Sequence, residues 1–303
     1  MPNCYNPGTN SFDAACPAWF GAEASTASWN YNFAAQPWTQ AHTYILASSA
    51  TDVASNTEIL PSSYLFTYDV EAPTATVTVA SYINSNVTSI PGTSTDTPSG
   101  VATLQIAVST NGGTAGSWLS GKNGTYTSNV PVYLTTSTYV LGNPDSWTEA
   151  TANLSLINGD TYYIQIFEED NAGNSRTQSF PNSFVYDTTL PTIAITQPDT
   201  AFYNTPISIE GTSGETPPGY VTQVQIRIST ASQDWTGTAW TSATPYWLTV
   251  TGNLSSWIYT STPPWVSGQS YTTYAQATDV AGNVSSPVQS YSFTYAVTPV
   301  CGG

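Results

Sequence analysis

Along most of the chain apolar and polar residues alternate one by one. Stretches such as "TYYIQIFEED" (161–170) and "SYTTYAQATD" (270–279) put every second side chain on one face, and β-branched and aromatic residues fill them. A period of two is the pattern of strands with one buried face, and no stretch carries the 3.6-residue period of a helix. In the last third of the chain the pattern predicts about seven short strands in roughly a hundred residues, the number in an immunoglobulin-like sandwich.

The strand pattern is itself repeated. "TDVASN", "EDNAGN" and "TDVAGN" carry Asp52, Asp170 and Asp279; each Asp follows a tyrosine by eight residues (Tyr44, Tyr162, Tyr271) and precedes a phenylalanine by fourteen (Phe66, Phe184, Phe293). Trp29, Trp147 and Trp257 stand upstream in "SWNY", "SWTE" and "SWIY". A fixed spacing of this kind marks a copied structural unit. Within each copy the A-G-N or A-S-N step predicts a hairpin turn: Gly takes positive φ freely, Asn tolerates it, and the leading Asp accepts backbone N–H groups. Pro in "APTATV" and "LPTIAI" precedes the first strand of a copy, an edge position where the missing donor does no harm.

The copies divide the chain into 1–69, 70–187 and 188–303. A segment further upstream occurs only twice, as "GTSTDTPSGVATLQIAVST" (92–110) and "GTSGETPPGYVTQVQIRIST" (211–230). The opening "PAWFGAEASTASWNY" (17–31) matches "PYWLTVTGNLSSWIY" (245–259), so residues 1–69 are expected to form the C-terminal half of a sandwich, with unpaired edges. The second copy departs from the pattern at "GSWLSGKNG", where its middle loops are longer.

Through "DWTGTAW", "YWLTV", "SSWIY", "SYTTYAQATDVAGNVSS" and "FVYDTTLPT" the chain resembles the tandem bacterial Ig-like domains of large extracellular surface and adhesin-type proteins. The resemblance spans essentially the whole length. It implies an all-β fold of tandem Ig-like β-sandwiches, the N-terminal one incomplete, and a structural or adhesive role; the family is defined by fold more than by activity.

Charge narrows the partners. Three Lys or Arg stand against nineteen Asp or Glu, a formal net charge of −16, which leaves no basic surface for the phosphates of a nucleic acid or for an anionic membrane. No run of eighteen apolar residues exists to predict membrane insertion. Cysteines occur only near the ends, at Cys4, Cys16 and Cys301. Two pairings stay open: Cys4 with Cys16 in one loop, or Cys301 with Cys4 or Cys16 of a neighbouring molecule. Either suits an extracellular or cell-surface protein.

Few residues promise chemistry. Glu168, Glu169 and Asp170 are consecutive on a strand and point to alternating faces, and the single His42 has no counterpart in the other copies, so no enzyme is expected. Trp29, Trp147 and Trp257, at fixed strand positions, read as core; Trp118, Trp235 and Trp240, beside irregular loops, are the candidates for exposed contact with surface glycans. Asp69 and Asp187 end a last strand in "YDVEAPT" and "YDTTLPT", where another copy follows, whereas Ala296 stands there in the last copy. Together with Glu71, or with loop acids such as Asp96 and Glu215, these junction carboxylates can either cap the linker backbone or hold calcium through hard oxygen ligands. No other cofactor is expected.

The sequence thus predicts a non-enzymatic extracellular structural protein. Its expected setting is a filament, sheath or adhesive stalk assembled head-to-tail from copies of itself, with strand complementation of the N-terminal half-domain. The alternative is a glycan-binding adhesin segment of a larger surface protein.

Overall fold

A computed structural model of the chain describes residues 3–24, 28–33, 35, 37–115, 117–121, 125–141, 144–150 and 154–297. Among these residues all regular structure is β, in tandem Ig-like sandwiches. The chain forms two compact units, one of residues 1–75, 94–104 and 167–177, the other of 76–93, 105–166 and 178–303.

The last repeat shows how the alternation becomes a sandwich. A seven-stranded sheet runs in the order Phe202–Tyr203, Gln289–Tyr295, Gln269–Asp279, Val221–Ser229, Asp234–Trp235, Trp240–Thr241, with Leu248–Thr249 also paired to Val221–Ser229. Facing it is a three-stranded sheet of Thr192–Gln197, Ile209–Gly214 and Ser256–Tyr259. Val224, Ile226 and Ile228 point inward at every second position and are fully buried with Tyr271, Phe293 and Trp257. Burial of each such side chain stabilises the fold by about 1.5–3 kcal/mol. The "LPTIAI" and "APTATV" segments begin the strands Thr192–Gln197 and Thr74–Val77, each after its proline as the sequence predicts.

The middle repeat uses the same plan. One sheet is ordered Tyr126–Ser128, Trp118–Leu119, Val101–Ser109, Thr161–Asp170, Ser175–Tyr186, Tyr82–Ile83, with Leu134–Thr135 on Val101–Ser109; the other is Thr138–Val140, Asp145–Ala150, Ser89–Thr95, Thr74–Val77.

Residues of the first repeat form three separate antiparallel pairs: Asn3–Asn6 with Ser11–Ala15, Glu23–Ala24 with Trp29–Asn30, and Thr43–Ser48 with Ser62–Thr67. Half of a core is nonetheless reproduced. Trp38, Tyr44 and Phe66 have ring-centroid separations of 4.8, 5.1 and 5.6 Å, against 4.8, 5.3 and 5.6 Å for Trp265, Tyr271 and Phe293. On this half-core sits Phe12 of the Asn3–Ala15 hairpin, 4.9 Å from Tyr44, with Tyr5 packed behind it. One expectation fails here. Trp29 is 50 % exposed, whereas its counterparts Trp147 and Trp257 are at 2 %: Trp257 pairs with Gly211 of the strand Ile209–Gly214, while among the described residues Trp29–Asn30 pairs only with Glu23–Ala24.

Cys4 and Cys16 form a disulfide that closes the same hairpin, the local one of the two pairings left open; Cys301 lies outside the described residues. Closing a loop of this length restricts the unfolded chain. Reduction is expected to speed amide exchange within Asn3–Ala15 by about tenfold or more, with little change in 188–297, as read by hydrogen–deuterium exchange.

Candidate metal centre

Each copy of the hairpin motif builds the same Asp-centred turn. Asp52 Oδ1 accepts the N–H of Ala54 (2.8 Å) and of Asn56 (2.9 Å), and its Oδ2 accepts the Asn56 side-chain amide (2.8 Å). Asp170 repeats all three bonds with Ala172 and Asn174, and Asp279 bonds the backbone and side chain of Asn283 in the same way. The turn requires positive φ at its fourth residue, which Gly173 (88°) and Gly282 (89°) adopt without strain while Ser55 must adopt 69°. Beside it, the motif tyrosine accepts a backbone N–H five residues upstream in every copy: Thr39 on Tyr44 (2.7 Å), Ile157 on Tyr162 (2.7 Å) and Val266 on Tyr271 (3.0 Å).

The turn asparagines also reach the junction residues. Asn174 donates to the carbonyl of Asp69 (3.1 Å), and Asn283 to that of Asp187 (2.8 Å). This brings each junction aspartate beside a turn aspartate, and a loop acid completes a triad: Asp69, Asp96 and Asp170 in one place, Asp187, Glu215 and Asp279 in the other. In each triad one oxygen per residue lies within 4.8 Å of the other two. Oxygens bound to one Ca2+ at 2.3–2.6 Å are at most about 5 Å apart, so both triads have the right compass for it.

The two triads differ in how their oxygens are satisfied. Asp69 accepts from the Gln40 amide (2.8 Å) and from the N–H groups of Glu71 (3.1 Å) and Ser99 (3.1 Å), while Asp96 accepts from Ser99 Oγ (3.1 Å) and Gly100 N–H (2.8 Å). Burial works to raise the Asp69 pKa, but these donors outweigh it and the carboxyl is held below its usual range. Burial, with Asp69 and Asp170 adding repulsion, raises that of Asp96. In the second triad Asp187, 1 % exposed, uses Oδ1 to accept the Thr189 N–H (2.9 Å), and its Oδ2 is buried with no hydrogen-bond partner; both oxygens of Glu215 are in the same condition. Burial first, then the charges of Asp279 and Asp187, push Glu215 up to about 7. Carboxylates gathered without donors gain most from a bound cation.

Gly219 gives the second triad its room. A Cβ there would overlap both the Asp187 and the Glu215 carboxylates.

Of the residues singled out in the sequence, Asp69, Asp96, Asp187 and Glu215 are thus brought into triads. Glu71 is not: its side chain is exposed, and only its backbone N–H meets Asp69. Asp170 and Asp279 take the third place instead. Their recurrence in the hairpin motif was visible, but nothing in a linear sequence says that this turn and the junction share a corner of the sandwich.

The tryptophan candidates are corrected as well. Trp118 (3 % exposed) and Trp235 (6 %) lie inside, their indole N–H groups donating to Gly113 O and Ser261 O. Trp240 is half-buried, stacked on Tyr271 at 25° and tilted against Trp235. Short strands after the loops fold these side chains back over the core, so loop proximity was a poor guide to exposure.

Replacing Asn283 by Ala removes its two side-chain bonds, to the Asp187 carbonyl and to Asp279 Oδ2, and leaves the buried Asp187 carbonyl short of a donor. We expect a loss of about 1–3 kcal/mol in a denaturant titration, with Asn56→Ala in the exposed first turn costing less than about 1 kcal/mol.

The sequence matches no protein-family model and no curated protein sequence. Among solved structures the chain is similar to the fibronectin(III)-like modules of Clostridium thermocellum CbhA, at 12 % identity over 76 % of this chain and 98 % of that one, with a TM-score of 0.35. It is similar also to a tetra-tandem repeat from the extending region of a large adhesion protein (19 %, 84 % of this chain, 57 % of the other, TM-score 0.30). A third is from a 1.5-MDa bacterial ice-binding adhesin (14 %, 86 % and 76 %, TM-score 0.30). Among the described residues no helix is long and apolar enough to cross a membrane.

Proposed function

We propose that the chain is a non-enzymatic, extracellular segment of an adhesive or structural stalk, in which a calcium ion bound by Asp187, Glu215 and Asp279 fastens the junction to the repeat that follows. The observation that carries this reading is the buried, donor-poor carboxylate triad, in which Asp187 Oδ2 and both Glu215 oxygens have no partner. The Asp69, Asp96 and Asp170 triad is a second, weaker site, since its oxygens already accept several N–H groups. A disulfide suits an oxidising exterior, few Lys and Arg leave few trypsin sites on an exposed chain, and head-to-tail contact with like repeats extends the stalk.

Calorimetric titration of EDTA-stripped protein with Ca2+ tests the proposal. Saturable heat that survives excess Mg2+ and loses its tighter component in Asp187→Asn supports it, because a smaller ion demanding octahedral geometry is poorly served by this compass. No heat with the wild-type protein overturns it.

A further inference from the structure

The first repeat has an open cleft of about 740 Å3, bounded on one side by Phe20, Gly21 and Ala22 and on the other by Leu46 to Thr51, with Trp29 and Tyr31 at its wall. Its two sides have counterparts in the last repeat. Phe20 and Ala22 match Leu248 and Val250; Leu46, Ser48 and Ala50 match Thr273, Ala275 and Ala277. There, both sides hold one strand between them: Val221–Ser229 pairs with Gln269–Asp279 through Ile228 to Thr273, Ile226 to Ala275 and Val224 to Ala277, and with the other side through Ile226 to Leu248. Val250 N–H also donates to the Val224 carbonyl at 2.9 Å.

We propose that this cleft is an acceptor groove for an added β-strand, antiparallel to Thr43–Ser48, whose apolar side chains at every second position fill it as Val224, Ile226 and Ile228 fill the last repeat. The occupant is an extended segment of the chemistry of Val221–Ser229, and the proposal rests on reading the chain as part of an array of like repeats. Three observations support a strand here. Thr43–Ser48 pairs with Ser62–Thr67 and with no other strand among the described residues, whereas Gln269–Asp279 is paired on both edges. Side chains that meet the strand in the other repeats are bare: Leu46 is 43 % exposed, against 0 % for Ile164 and Thr273 at the same position. The Trp38, Tyr44 and Phe66 half-core already has the geometry of a filled sandwich, so the groove is preformed and little ordering opposes binding. Main-chain hydrogen bonds along the free edge supply affinity and the alternating pockets supply selectivity.

The test uses the full chain and a labelled synthetic peptide of residues 221–230, VTQVQIRIST. Fluorescence anisotropy is expected to show saturable binding that is lost when the peptide carries Ile226→Asp. Exchange of the Thr43–Ser48 amides should slow by about tenfold or more in the bound state. Leu46→Asp in the protein, which sets a charge in the groove, should abolish binding while leaving exchange in 188–297 unchanged. The proposal is overturned if the native and Ile226→Asp peptides bind alike or if neither binds. It is equally overturned if an oligosaccharide enters the cleft and the peptide does not displace it, or if the protein self-associates without slowing those amides. Calcium binding is read separately, so loss of either result leaves the other standing.

Discussion

Adding Ca2+ to the EDTA-stripped protein is expected to raise the melting temperature of the transition that contains residues 188–297. At a hundredfold excess over the dissociation constant, binding to the folded state alone contributes about 2.7 kcal/mol, which for a domain of this size corresponds to a shift on the order of 10 °C. The same triad makes a second, opposite prediction for the metal-free protein. Glu215 lies against Asp187 and Asp279 with no donor to either of its oxygens, so Glu215→Gln removes repulsion and should leave stability in EDTA unchanged or raised. In calcium the variant is expected to lack one of the proposed ligands and to lose the shift. A variant that merely disturbed packing would lose stability under both conditions, and differential scanning calorimetry with and without EDTA separates the two outcomes.

The pH dependence follows from the same crowding. In EDTA the Glu215 carboxyl titrates near 7 in the folded chain, above its ordinary value of 4.5, so between these values the folded state holds a proton that the unfolded chain has released. The contribution of Glu215 is therefore fully present below about pH 4.5 and is lost as pH rises through 7. Glu215→Gln should flatten that decline. Calcium is expected to reverse its sign, because an ion held by the ionised triad would compete with the proton, so the calcium-induced gain should grow with pH over the same window.

Much of this architecture was legible before any coordinates. Alternation, the prolines ahead of Thr74 and Thr192, and the Tyr, Asp and Phe spacing encode strands and hairpins locally, and a local pattern survives projection onto a line. The Asp69 and Asp187 positions were also legible, since their absence from the last repeat at Ala296 is a sequence fact. Three features were not. The partnership of Asp279 with Asp187 depends on two loops meeting at one corner, and Asn283, the residue that clamps them, reads in sequence as only a turn former. Trp118 and Trp235 look exposed beside irregular loops, yet the chain doubles back and the indoles are buried. Trp29 was misjudged in the opposite sense: repetition reports where a side chain points, while burial depends on what faces it. The groove in the first repeat was legible in outline, since residues 1–69 read as half a sandwich with unpaired edges, but the side chains that border it, Phe20 and Leu46 among them, are placed only by the fold.

Gly211→Ala should cost the last repeat about 3 kcal/mol or more, a fall of about 12 °C or more in its melting temperature. Gly211 pairs directly with Trp257 across adjacent strands, and Trp257, 2 % exposed, lays its ring over the glycine. An added Cβ would collide on one side with the Ala194 carbonyl, fixed by its own strand pairing, and on the other with the indole. Neither can yield cheaply: one is backbone, the other is enclosed by the core. Gly92 meets the Thr76 carbonyl and Trp147 in the same way, so the rule belongs to the repeat and not to one site. Overpacking of this kind is distinguished from a general dislike of alanine by Gly214→Ala on the same strand, where the nearest atom, Thr192 Oγ1, is at 3.7 Å and ordinary contact results. That control should change stability by less than about 1 kcal/mol. If the indole is the obstacle, the penalty of Gly211→Ala should shrink in a Trp257→Ala background, a coupling on the order of 1 kcal/mol or more that a double-mutant cycle measures directly. An unchanged penalty there assigns the clash to the Ala194 carbonyl alone. A penalty below about 1 kcal/mol in the single variant removes the argument that the Ala194 carbonyl and the Trp257 indole leave no room for a Cβ at this position.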